Sequence, residues 1–135
     1  MEYRYTTLEP RSIRLLRLVP GIDADVLTGV LVTASLDNVP DFTALSYAWG
    51  CPEPRQRIYL DGFKAEIGPE LHSALKHLRS ADQKTLIWAD ALCINQADVP
   101  ERTQQVKIMA HVYAAARETA IWLGDESPEV LRAFG

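Results

Sequence analysis

The chain has 135 residues, 47% of them apolar and 24% charged, the balance of one ordinary globular domain with a real core. A formal net charge of -4 and a pI near 5.3 argue against a nucleic-acid binder held by phosphate contacts, which needs a net basic face, and no local basic patch stands out. No apolar run approaches the ~20 residues needed to cross a bilayer, and "MEYRYTTLEP" has no secretory apolar segment, so the expected location is the cytoplasm.

In chain order, "SIRLLRLVPG" reads as a partly buried strand closed by Pro20 and Gly21, and "LTGVLVTASL" as its neighbour or hairpin partner. "FTALSYAWG" carries the strand formers Phe42, Thr43, Leu45 and Tyr47 and stops at Gly50 before the polar loop "CPEPRQR". "RIYLDGFKAEIG" predicts a hairpin, because Asp61-Gly62 suits a type I′ turn with positive φ. "GPELHSALKHLRS" opens a helix at Pro69 and places Leu71, Ala74, Leu75 and Leu78 on one face. "TLIWAD" follows as a buried strand, and a long helix is predicted from about Val99 to Arg117, repeating Val99, Arg102, Val106, Met109, Tyr113 and Ala116. "TAIWLG" is a further buried strand, and "DESPEVLRAFG" reads as a polar loop followed by the start of another helix. Strands alternating with helices in the second half imply parallel pairing through right-handed crossovers, whereas the first half is mainly β. Trp88, Met109, Tyr113 and Trp122 are expected in the core.

The chemistry-bearing motifs are sparse. The glycine-rich nucleotide loops, the hydrolase nucleophile elbow and the H-E-x-x-H pair are all missing from the sequence. Cys51 and Cys93 have no C-x-x-C spacing, and two reduced thiols are favoured over a disulfide; His72, His77 and His111 do not pair with them at zinc spacing, so no metal site is expected. Ser46 and Tyr47 come at a strand end, where open α/β sheets place ligand-facing groups. Tyr47 and Trp49 read first as core aromatics with a satisfied polar tip and second as ligand contacts. In "WADALCINQAD", Cys93 has no base near it in sequence and reads as a buried inert thiol. Asn95 and Gln96 suit loop bracing as well as substrate binding, and Asp90 is either a desolvated, strongly partnered carboxylate or a plain hydrogen-bonded one. Asp98-x-x-Glu101 fits a capping box; the sharper alternative makes Glu101 a carboxylate at a helix entrance that stabilises positive charge or acts as a base.

Taken together, "FTALSYAWG" and "LIWADALCINQADVPERTQQVKIMAHVYAAARETAIWLG" resemble the fungal heterokaryon-incompatibility (HET) domain. The likeness runs from Leu15 to Gly124 and includes the S-Y-x-W-G block at Ser46 to Gly50, then Trp88, Asp90, Cys93, Ile94, Asn95, Gln96, Glu101, Gln105, Met109, Tyr113, Ala116, Trp122, Leu123 and Gly124. The family more often has Ile where this chain has Ala89. The resemblance implies a single domain over residues 1–135, forming the N-terminal part of a longer fungal protein that acts in nonself recognition and programmed cell death. It also implies distant similarity to TIR domains, and hence an α/β, flavodoxin/TIR-like, mostly parallel sheet flanked by helices, with added β-hairpins in the N-terminal half. Two functions of different class follow: a death effector activated by self-association or by a sensor, NLR-like or fused C-terminal partner, and a TIR-like NAD glycohydrolase. In the second, NAD is the substrate, no cofactor is required, Glu101 is catalytic, and Ser46, Tyr47, Trp49, Asp90, Asn95 and Gln96 form the pocket. One carboxylate with aromatic walls suffices for an oxocarbenium-like transition state.

Overall fold

The structure is a computed structural model that describes residues 3–22, 24–48, 50–124 and, for the backbone alone, 130–134. Its centre is a mixed sheet of eight strands in the order β5-β4-β2-β1-β6-β3-β7-β8. These are β1 (Ser12–Leu18), β2 (Leu27–Ser35), β3 (Thr43–Tyr47), β4 (Gln56–Leu60), β5 (Phe63–Ile67), β6 (Thr85–Trp88), β7 (Glu118–Trp122) and β8 (Val130–Phe134). Among the described residues three α-helices and a short 3-10 turn (Leu36–Asn38) complete the α/β domain: α1 (Pro69–Leu78), a single turn α2 (Asp90–Cys93) and α3 (Val99–Ala115).

The central parallel part of the sheet is β6-β3-β7, the segment where strands alternate with helices in the sequence. β3 is central: the chain leaves it through the β4–β5 hairpin and α1 to reach β6 on one side, and returns through α3 to β7 on the other. Residue register shows that the two long helices lie on opposite faces. Tyr47 pairs with Trp122, whose indole meets α1 through Glu70 and His77. Ala44, on the other face, pairs with Trp88, whose ring packs edge-on against Tyr113 of α3 at 5.6 Å. Both faces of the central strands are therefore covered, which is why β1 buries Ile13, Leu15, Leu16 and Leu18 without alternation.

Antiparallel pairs flank this centre. β1 and β2 pair over their full length from Ser12↔Ser35 to Leu18↔Gly29, and β1 also lies antiparallel to β6. The β4–β5 hairpin turns at Asp61 and Gly62 with φ of 52° and 83°, the left-handed values that the Asp-Gly pair predicts. β2 joins β4 in parallel, which extends the sheet to its β5 edge.

Two expectations are corrected. Val130–Phe134 is not the start of a helix but forms β8, antiparallel to β7, and covers an edge that β7 would otherwise leave open. Trp88 and Trp122 are buried, but Met109 and Tyr113 are only half-buried. α3 lies on the sheet along a narrow line, with only Gln105 and Val112 fully buried. α1 keeps its predicted face, burying Leu71, Ala74, Leu75 and Leu78.

Candidate functional site

Because β3 and β6 are parallel neighbours, both deliver their carboxyl ends to one edge of the sheet, where open α/β sheets place their ligands. Ser46 and Tyr47 end β3, and Asp90 begins α2 two residues after β6. Adjacent residues of β3 point to opposite faces. Ser46 is hydrogen-bonded to the Tyr113 hydroxyl on the α3 side, whereas Tyr47 points to the α1 side.

Asp90 acts electrostatically on both tyrosines. Burial first, and the Asp90 charge second, push the Tyr47 and Tyr113 hydroxyls above the ordinary phenol range; the Ser46 hydrogen bond partly offsets this at Tyr113. Both hydroxyls are neutral hydrogen-bonding groups at physiological pH. Gln96 braces the turn by donating from Nε2 to the Asp90 carbonyl at 2.8 Å, and the Asn95 Oδ1 accepts from Ala97 N at 3.3 Å. The polar residues after Asp90 thus hold the loop between α2 and α3, the bracing role their chemistry allows.

Glu101 sits differently. Asp98 caps α3 by accepting from Glu101 N at 3.1 Å, but the Glu101 carboxylate does not reach back to Asp98, whose amide bonds to the Asn95 carbonyl. It faces Arg14 instead: Oε1 accepts from Nη2 at 2.6 Å, Oε2 from Nη1 at 2.8 Å, and Oε2 also from Asn95 N at 2.6 Å. Burial opposes ionisation of this carboxyl; the two Arg14 hydrogen bonds and the Asn95 amide outweigh it and hold the group below the ordinary carboxylate range. A carboxylate so occupied is a weak base.

Arg14 is the residue that sequence reasoning missed. Its guanidinium is 1% exposed, donates to the carbonyls of Cys93 and Thr6 as well as to Glu101, and lies 4.7 Å from the centre of the Tyr5 ring. Tyr5 in turn donates to the Leu92 carbonyl at 2.7 Å, and burial pushes its hydroxyl up to about 12. One buried cation therefore joins the N-terminal arm, β1, α2 and the start of α3. The signal available in sequence was an arginine set inside the apolar run Ile13 to Leu18, which demands a carboxylate from elsewhere in the fold.

Of the predicted site residues, Ser46, Tyr47 and Asp90 gather at the sheet edge, Asn95 and Gln96 brace the loop beside them, and Glu101 belongs to the Arg14 clamp. Trp49 lies outside the described residues. Cys93 is fully buried and its thiol is pushed up to about 12, chiefly by burial, which leaves no thiolate for nucleophilic work; Cys51 is exposed, and the two are unbonded. Among the described residues no cluster of His, Cys, Asp or Glu could hold a metal ion.

The model of the family described as "Heterokaryon incompatibility protein (HET)" matches residues 42–134. Heterokaryon incompatibility protein 6, OR allele, of Neurospora crassa is 33% identical over 139 residues, covering 90% of this chain and 20% of that protein. The chain thus spans about a fifth of the length of the curated relative it matches. No solved structure matches it. The family match takes in β3 to β8 and every predicted site residue, and the chain belongs to the heterokaryon-incompatibility (HET) domain family.

Proposed function

We propose that this HET domain is a cytoplasmic cell-death effector of fungal nonself recognition, silent as a separate copy and active when copies are brought together. Membership of the family supports the nonself-recognition role, and the relative's printed name agrees with it. The observation that carries self-association is the outer side of α3. Val99 and Val106 are 56% and 57% exposed, and Thr103 and Ala110, also exposed, interleave with them at spacings of four, three and four residues. That spacing forms a seam like that of a coiled coil, suited to another helix. Burying the exposed parts of two valines from each copy contributes on the order of 4 kcal/mol, too little against the cost of association to hold a permanent dimer. A tether to a sensor, an NLR-like partner or a fused C-terminal domain supplies the effective concentration that the seam lacks.

Sedimentation velocity across a concentration series tests this. Association should rise with concentration and disappear in Val106→Asp while the melting temperature stays unchanged. A monomer at every concentration, with undiminished killing by the isolated domain, refutes the proposal.

A second reading is favoured by a cleft of about 780 Å³ at the carboxyl ends of β3 and β6, lined in part by Tyr47 and Gln96. In that reading the domain is a TIR-like NAD glycohydrolase that releases nicotinamide. Glu101 lies outside the lining of this cleft and is held by Arg14, so to serve as the charge-stabilising group it has to release Arg14 and turn to the cleft. Nicotinamide release from NAD by purified, artificially clustered domain tests the activity, and no release above the unclustered background counts against it.

A further inference from the structure

The cleft is closed on one side by an arm that the sequence reading left unassigned. Tyr3 is hydrogen-bonded to Asp61 at the hairpin turn, packs edge-on against Tyr5 at 5.1 Å, and Tyr5 is anchored to Leu92. The arm therefore runs between the hairpin and α2, and it places two tyrosines opposite the β3 end, where Tyr47 supplies a third. Three phenol rings around a cavity of about 780 Å³ make a site of small-ligand size with flat apolar walls.

Most of the remaining lining is apolar, Leu60, Ile67, Leu71 and Leu92 among it, and its charged residues are two cations and one carboxylate. Arg55 and Lys64 reach the cleft, neither in an ion pair among the described residues, against Glu66 as the single carboxylate in the lining. Beside them Gly68 and Leu71 bring the start of α1 to the cavity, while Pro69 and Glu70 line a second, smaller cleft together with Glu53. Gly68 caps the helix without a side-chain hydrogen bond, Pro69 has no N–H, and a Cβ built on Gly68 meets nothing within 4 Å. The carboxylate of Glu70, in the same turn, accepts from the Trp122 indole at 2.8 Å and faces that second cleft. The helix dipole at Gly68 and the two cations, unpaired among the described residues, outweigh Glu66 and favour negative charge in this cleft.

We infer that this cleft binds a small organic phosphate carrying a flat ring, with the ring against Tyr3, Tyr5 and Tyr47 and the phosphate at the α1 turn between Arg55 and Lys64. This goes beyond the effector reading and requires no bond cleavage, so it stands apart from the fate of the NAD hypothesis.

Calorimetric titration of the whole domain with AMP, phenyl phosphate, adenosine and inorganic phosphate tests it. AMP and phenyl phosphate should bind, with adenosine and inorganic phosphate each at least about tenfold weaker, the loss expected when a charge-assisted hydrogen bond or the ring contact is removed. Arg55→Glu combined with Lys64→Glu should weaken AMP at least about tenfold at unchanged melting temperature. Gly68→Asp separates the site from folding, because it supplies the missing cap and should raise the melting temperature while abolishing AMP binding. No AMP binding, or AMP binding that both variants leave intact, overturns the inference. Nicotinamide release from NAD is followed in parallel. AMP binding without release supports the cleft and counts against the hydrolase, whereas release that AMP does not inhibit overturns the cleft assignment alone.

Discussion

Replacing Glu101 by Gln preserves shape and removes one charge, and the Arg14 clamp sets what that costs. The Gln carbonyl oxygen can take the place of Oε2 and still accept from Arg14 Nη1 and Asn95 N. The amide nitrogen then stands where Oε1 was, 2.6 Å from Arg14 Nη2, so two donors face each other. Arg14 is 1% exposed and keeps its charge with no carboxylate on it. Removing one partner of a buried pair costs about 3–5 kcal/mol; with two of three hydrogen bonds retained, about 2–4 kcal/mol is expected. For a domain of this size that lowers the melting temperature by roughly 8–16 °C. Thermal melting followed by circular dichroism measures it, with urea unfolding as a second route to the free energy. The effect also has a pH signature. A carboxyl held below its unfolded value contributes stability above the unfolded pKa of about 4.3 and loses it as pH falls through the folded value. The gap between wild type and Glu101→Gln should be full at neutral pH and shrink below about pH 4. A melting temperature within about 2 °C of wild type at pH 7 refutes the clamp.

Gly29 faces Leu18 across the β1–β2 pair, and a Cβ there would stand 2.7 Å from Leu16 Cδ1 and 3.0 Å from the Arg17 carbonyl oxygen. Gly29→Ala should therefore destabilise by about 1–3 kcal/mol in urea unfolding, and a neutral result would show that β1 yields at that point. Native protein treated with a thiol reagent should label once, at exposed Cys51, with Cys93 reacting only on unfolding; two fast thiols would contradict the burial of Cys93. Gly62→Ala at φ 83° meets no neighbour within 4 Å, so it should cost about 1 kcal/mol from backbone strain alone, read from the same unfolding curves.

What was legible in the sequence was local. Asp61-Gly62 announces its hairpin because only a few residues tolerate that backbone, and Pro69 with Leu71, Ala74, Leu75 and Leu78 announces α1 because a wide apolar face has one place to go. The parallel centre followed from strands alternating with helices. The face of α3 was not legible: Val99 and Val106 keep helical period yet stand exposed, while Gln105 is buried with its amide on the Ser12 carbonyl at 3.0 Å. A polar residue with a backbone partner can take a core position that periodicity assigns to a hydrophobe. Glu101 was recognised as a carboxylate at a helix entrance, and its cap geometry with Asp98 was half right. Its main partner, Arg14, is 87 residues away, a pairing that no local pattern encodes. The cleft was invisible for the same reason, since the arm, β3, the hairpin and α1 meet there only in the folded chain.

The central claim is that bringing copies together turns this domain on. Fusing it to a drug-induced dimerisation module in fungal cells and scoring viability with and without the drug tests that claim most directly. The account predicts survival without the drug and death with it; equal killing in both arms, or survival in both at matched protein levels, would contradict it.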